Sequence, residues 1–284
     1  MAMNTLSPGR ITELAPGVRR LVAPNAGMMT GPGTNTYILG ERDVAVIDPG
    51  PAIEPHVDAI VDAVGVAVRW ILVTHTHPDH SPAATPLARR TGAVLMGRPA
   101  PAGRHQDATF QPDRILEDGE SFSAEEFELD VIGTPGHASN HLCYRLRQRK
   151  WLFTGDHIIN GSTVVIDPPD GSMADYLKSL EKLKGFELDS IAPGHGEIIR
   201  NPYEAIDWII SHRLQREQKV AGSVAAHPGL TARELVPSAY DDVDPALYEV
   251  AERSLLAHLQ KLESDGRVEL QDERWRIAGA RSNS

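Results

Sequence analysis

The stretch Trp70-Ile71-Leu72-Val73-Thr74-His75-Thr76-His77-Pro78-Asp79-His80 sets three imidazoles and a carboxylate directly behind a four-residue apolar run. Aromatic and β-branched residues running into a polar, Pro-containing loop predict a buried strand that stops at the loop. A strand tip holds ligands in place. His75 and His77 alternate onto one side, while Asp79 and His80 turn toward a neighbouring position, so one loop is able to feed two metal ions. A His-x-His-x-Asp-His match arises by chance in about one in a thousand shuffled chains of this composition, which makes metal binding the reading to pursue.

A hydrolytic metal centre draws ligands from several loops, and three more loops have the right form. Phe127-Glu128-Leu129-Asp130-Val131-Ile132 runs into Gly133-Thr134-Pro135-Gly136-His137. Trp151-Leu152-Phe153-Thr154 runs into Gly155-Asp156, and Leu188-Asp189-Ser190-Ile191-Ala192 into Pro193-Gly194-His195-Gly196. Each is an apolar strand, a Gly or Pro breaker and then a ligand.

In that order THTHPDH, TPGH, FTGDH and PGHG resemble the metallo-β-lactamase superfamily over most of the chain up to Gly196. The resemblance implies one metal on His75, His77 and His137, a second on Asp79, His80 and His195, and Asp156 bridging the two. It also implies that Asp48, closing Val44-Ala45-Val46-Ile47, supports the site from behind, the usual task of a carboxylate next to a metal-bound His. His141 and His157 adjoin the ligand loops and are candidates for a supporting or substrate-contacting role. Five imidazoles and two carboxylates without a thiolate suit zinc and tolerate iron or manganese. Two such ions share and acidify a water for hydrolysis, and Asp79 is placed to orient or deprotonate that water.

Two departures from the commonest family pattern stand out. Ser81-Pro82-Ala83-Ala84 follows His80 where glycines are frequent; Ser81 suits an N-cap and Pro82 a first helical position, so a helix is expected to start there. The single Cys, Cys143, follows no ligand motif and alternates with Leu142 and Tyr144, as a buried strand thiol does. A Cys ligand of the first β-lactamase subclass is therefore missing, and antibiotic hydrolysis is not the implied native role.

At 284 residues the chain suits one catalytic domain, expected over 1–214, and a small appendage over 215–284. One Cys rules out a disulfide framework, and the first two dozen or so residues lack the apolar run of a signal peptide, so a reducing, cytoplasmic location is expected. No apolar run approaches membrane-spanning length. The formal charge of −11 disfavours broad electrostatic binding to nucleic acid, although two divalent ions would make the cleft itself attractive to a phosphodiester.

Thr36-Tyr37-Ile38-Leu39, Val44 to Ile47, a helix from Glu54 to Val64 and Val68 to Val73 alternate as in an α/β domain. Periodicity alone does not choose between a doubly wound sheet and two packed sheets; the resemblance implies the latter, a four-layer αββα sandwich. A further helix is expected from Met173 to Phe186. Past Pro202 come helical spacing at Ile206, Ile209, Ile210 and Leu214, a helix over Leu230 to Val236, and another over Pro245 to Ser264. Short strands around Gln271-Asp272-Glu273 complete the order of a winged helix. From Gln215 to Ser284 nine Lys or Arg meet twelve Asp or Glu, whereas a DNA reader is normally basic. A wall for the active site is thus expected, with no specific DNA binding.

Gly33-Thr34-Asn35-Thr36-Tyr37, the stretch from Asn160 to Ser172 and the winged helix resemble the β-lactamase-like protein 2 branch. That resemblance implies cleavage of single-stranded RNA for eukaryotic members and only a hydrolase for bacterial ones. A thioesterase of the glyoxalase II type, acting on a small ester or thioester, is the nearest alternative. A non-catalytic metal-binding interaction protein is the alternative of another class, and the full set of seven ligands speaks against it. Oligomeric state is not legible here.

Overall fold

A computed structural model describes residues 6–279; residues 1–5 and 280–284 of the two expected domains lie outside it. Seven strands form the first sheet in chain order: β1 (Ile11–Ala15), β2 (Val18–Val22), β3 (Asn35–Leu39), β4 (Val44–Ile47), β5 (Val68–Leu72), β6 (Val94–Gly97) and β7 (Arg114–Ile115). The second holds β8 (Ser121–Ser123), β9 (Glu128–Gly133), β10 (Leu142–Leu146), β11 (Trp151–Gly155) and β12 (Ser190–Pro193). Pairing is antiparallel from β1 to β4 and parallel from β4 to β7. In the second sheet only β11 and β12 pair in parallel.

The period of two along each strand makes the layers. Tyr37 and Leu39 of β3 pack between the sheets with Leu129, Val131, Tyr144 and Phe153, while Ile38 faces outward to Val57 and Ile60. Those two belong to α1 (Glu54–Val64), and Leu87 of α2 (Ala84–Thr91) joins the same outer layer. On the far side Ile132, Cys143, Leu152 and Ile191 meet Tyr176, Leu180 and Leu183 of α3 (Met173–Leu183). Two sheets face to face with helices outside are the expected αββα sandwich. Cys143 is the expected buried strand thiol.

The expected helix start at Ser81 is corrected. The Ser81 and His80 amides fold back onto the His77 carbonyl, so the chain is still turning there, and α2 begins at Ala84. Ser81 Oγ instead donates to Asp107 Oδ2 at 2.8 Å. The helix expected to reach Phe186 stops at Leu183, where Lys184 and Phe186 close a turn.

Helix α4 (Pro202–Ala226) runs across residues 214 and 215 without a break. Ile206 and Ile209 near its start pack on the outer layer of the second sheet, while Val220 and Val224 enter a separate core. That core is completed by α5 (Ala232–Ala239), α6 (Tyr248–Ser264) and the hairpin β13 (Val268–Gln271) and β14 (Arg274–Ile277). A capping box at Thr231 and Glu234 starts α5, and Trp275 is buried beneath the hairpin. Helix, helix, helix and hairpin make the winged helix. No helix among the described residues is long and apolar enough to cross a membrane.

Candidate metal centre

Strands β5, β9, β11 and β12 all end at one edge of the sandwich, and each carries its ligand loop there. Their loops bring His75, His77 and His137 into one group and Asp79, His80, Asp156 and His195 into another; within each, one donor atom per residue lies within 4.8 Å of the rest. Gly194 makes this convergence possible. A Cβ there would sit 2.7 Å from Asp156 Oδ1 and 2.8 Å from His80 Cε1. Gly136, at φ 147°, likewise lets the His137 loop lie against the backbone of Tyr176.

Hydrogen bonds behind the first group determine which ring nitrogens face inward. Thr74 Oγ1 donates to Asp48 Oδ2 at 2.7 Å, so it accepts from His75 Nδ1 at 3.0 Å and leaves His75 Nε2 with a lone pair. His137 Nδ1 donates to the Val165 carbonyl at 2.7 Å, which does the same for His137 Nε2. Both lone pairs face His77 Nδ1, at 3.0 and 2.9 Å. That nitrogen can donate one proton to one of them. Burial, followed by the neighbouring imidazoles, pushes the His75 pKa well down; burial and then His137 push His77 down to about 3. Three imidazoles whose ring nitrogens converge on one point are a cation site by their chemistry.

The second group is built from the opposite charge. His80 Nδ1 meets Asp48 Oδ2 at 2.9 Å, leaving Nε2 3.4 Å from Asp79 Oδ2 and 3.3 Å from Asp156 Oδ1. His195 Nε2 lies 3.2 Å from the same two oxygens. His80 Nε2, Asp156 Oδ1 and His195 Nε2 are all buried without a hydrogen bond. Burial opposes charge on His195, but Asp156 and Asp79 outweigh it and push the pKa up to about 10. His80 is raised for the same reason by Asp79, Asp156 and Asp48, against the effect of burial. Burial would raise Asp79 and Asp156, yet the facing imidazoles hold both below the usual carboxylate range. Orphaned donors of this kind fit a divalent ion. The other Asp156 oxygen, Oδ2, reaches to 3.8 Å of His137 Nε2, so this carboxylate touches both groups.

Asp48 sits behind the centre in a left-handed turn, φ 49°, a conformation Asp tolerates. Its Oδ1 also accepts the Thr74 amide at 2.7 Å. His141 is fully buried, stacks on His75 at 4.9 Å and bonds Thr134 Oγ1 at 2.9 Å. His157 is fully buried against Tyr176. Both stand behind the ligands rather than on the cavity wall, and burial pushes both pKa values down. Burial also pushes the Cys143 thiol up to about 12.

Sequence reasoning missed two supports. Thr74 relays Asp48 to His75, and its only signal was its place beside the ligands. The stretch Gly33 to Tyr37 clamps the His195 loop: the Asn35 amide meets the Gly194 carbonyl at 2.8 Å, its side chain the Pro193 and Gly196 carbonyls, and Tyr37 Oη the Pro193 carbonyl.

The centre opens into a cavity of about 680 Å³ lined by His77, Asp79, His137, Asp156 and His195 on one side. Arg213, Tyr240, Val250 and Ser254, from α4 and the winged helix, line another part of it. The winged helix therefore walls the cavity that holds the candidate ligands.

Residues 29–195 match the metallo-beta-lactamase superfamily, and residues 231–275 the beta-lactamase associated winged helix domain. Over 272 residues the chain is 32% identical to the beta-lactamase-like protein 2 homolog of Drosophila melanogaster, covering 91% of each. It is 25% identical over 292 positions to the atrochrysone carboxyl ACP thioesterase of a Cryptosporiopsis species, covering 95% of this chain and 88% of that one. A beta-lactamase domain protein from Burkholderia ambifaria, 23% identical, shares the fold at a TM-score of 0.81 over 97% of this chain and 96% of that chain. The chain belongs to the metallo-β-lactamase superfamily of hydrolases, in the β-lactamase-like protein 2 branch with its C-terminal winged helix.

Proposed function

We propose that the protein hydrolyses a thioester with two divalent ions, zinc on the strength of the donor set, held by His75, His77 and His137 and by Asp79, His80 and His195, with Asp156 between them. Bound there, such ions supply Lewis acidity, acidifying water and polarising the acyl carbonyl. Hydrolysis forms a carbon–oxygen bond and breaks the carbon–sulfur bond, giving a carboxylate, a thiol and a proton. Asp79 lines the cavity and stays ionised, so it is suited to orient the water and take its proton. Asp48 keeps the His80 ring turned so that Nε2 faces the ligands, and Thr74 does the same for His75.

The observation that carries the reading is the pair of donor groups at one cavity, the first of converging imidazoles and the second with buried donor atoms left without a partner. The size of that cavity and its exposed apolar residues Met28 and Met29 suit a small acyl group. Relatives named as thioesterases, from Cryptosporiopsis and Aspergillus fumigatus, support the thioester as substrate. Cleavage of single-stranded RNA is the second reading, favoured by Arg104 and Arg253 on the cavity lining; the excess of acidic residues in the winged-helix region weighs against it. Zinc-loaded protein assayed for thiol release from a panel of acyl thioesters, and for cutting of a labelled single-stranded RNA, separates the two, with His137→Ala as the blank. Turnover of the thioester above that blank is expected; turnover of RNA alone would replace the first reading by the second.

A further inference from the structure

We propose that the winged-helix side of the cavity holds an anionic group of the substrate and that Arg213 is the residue that binds it. This rests on the thioester reading and narrows it: the acyl group carries a second, free carboxylate.

Arg213, on α4, is 3% exposed and lines the cavity. Its Nη2 donates to the Val164 carbonyl, its guanidinium lies 5.5 Å over the Tyr176 ring, and its Nε is buried without a partner. It forms no ion pair with any carboxylate among the described residues. Arg is always charged, and a buried charge without a counter-ion is a costly thing to keep. The nearby acids are taken by other cations. Asp242 is held in a fork by Arg216 at 2.7 and 3.0 Å, and Glu217 by Lys261 and Arg267, each at 2.9 Å. Of the acids on the cavity lining, Asp167 lies 3.7 Å from Arg253, and Asp170 accepts from Gln106 at 3.0 Å. Around Arg213 the same lining offers two more unpartnered polar atoms, Tyr240 Oη and His212 Nδ1. A planar cation with free donors beside it is the recognised chemistry for a carboxylate.

One backbone strip links Arg213 to the ligand loops. The Val164 carbonyl accepts from Arg213, and the next carbonyl, Val165, accepts from His137 Nδ1 at 2.7 Å. The next amide, Ile166, donates to Ser254 Oγ of α6. Successive Cα atoms are about 3.8 Å apart, so Arg213 and the metal-facing His137 are anchored a single residue apart. Arg213 and His137 line the same cavity, so an acyl chain that ends in a second anion would meet both. A monothioester of a short dicarboxylic acid has this form.

The test compares N-acetylcysteamine thioesters of glutaric and pentanoic acid, equal in chain length and different in charge, on the zinc-loaded full chain. The glutaryl substrate is expected to have a KM about tenfold lower or better, the effect of one charge-assisted bond. Arg213→Gln should raise the glutaryl KM about tenfold or more while changing kcat/KM for the pentanoyl substrate far less, and Arg213→Lys should recover part of the loss. Equal KM values in the wild type, or equal loss on both substrates, would overturn the proposal. A preference instead for pentanoyl phosphopantetheine over pentanoyl pantetheine would overturn the acyl placement and assign the anion to the carrier. If Arg213→Gln does not fold, Tyr240→Phe takes its place: a rise in the glutaryl KM alone supports the proposal, and no change refutes it. If neither thioester is cleaved, the thioester reading fails by itself. Calorimetric binding of glutarate then decides, since the site predicts about tenfold weaker binding in Arg213→Gln and equal affinity contradicts it.

Discussion

His75, His77 and His137 meet as three imidazoles, of which burial and the neighbouring rings keep His75 and His77 neutral; beside them His80 and His195 meet Asp79 and Asp156, which draw protons onto the rings against the effect of burial. Electrostatically the two groups are opposites, and a dication suits each for a different reason. In the first it satisfies lone pairs that one shared proton cannot. In the second it replaces protons that already balance two carboxylates. Asp156 belongs to the second group and reaches the first, so it is the residue whose loss should blur the contrast.

Asp156→Ala is expected to have the largest effect, lowering metal content at both positions and cutting turnover by more than the about hundredfold expected for losing a general base alone. Elemental analysis beside a rate measurement reads both. A variant that keeps one full site would show that Asp156 serves a single group. Asp79→Asn comes next: turnover should fall about a hundredfold or more, with both metals retained and little loss of folding stability. Near-native turnover would make Asp79 a dispensable ligand.

Asp48→Asn sharpens the comparison from behind, because Asp48 bonds the His80 ring directly but reaches His75 only through Thr74. Affinity at the second position should drop about ten- to a hundredfold, more than at the first; titration with a competing chelator resolves the two. The pH response should separate the groups as well. The His195 pKa is raised from 6.5 to about 10, so without metal its stabilising contribution is complete below 6.5 and fades as pH climbs through about 10. Metal must displace that proton. Affinity at the second position should therefore rise with pH across this window, by at most about tenfold per unit for each proton released. His77, lowered to about 3, has no proton to give up there, and the first position should stay flatter.

The contrast also explains what could be read from the chain in advance. Ligand loops follow strand tips, and Gly and Pro mark each tip, so the seven donors were legible as local patterns, as were α1 and the order of the winged helix. Alternation along the first loop already set His75 and His77 apart from Asp79 and His80, while the places of His137, Asp156 and His195 came from a family resemblance; the burial and hydrogen bonds that give each group its charge arise between segments far apart in the chain. Thr74 as a relay, Asn35 as a clamp and Arg213 on the cavity lining depend on such contacts. A local rule misled at Ser81, where a good capping residue is taken up by Asp107 and the chain is still turning back onto His77.

Metal stoichiometry bears most directly on the two-group account. Wild-type protein saturated with zinc, desalted and measured by elemental analysis should hold two ions per chain, and His137→Ala and His195→Ala should each hold one. A wild-type ratio near one, unaltered by one of those substitutions, would contradict the account and leave the corresponding group as a structural cluster.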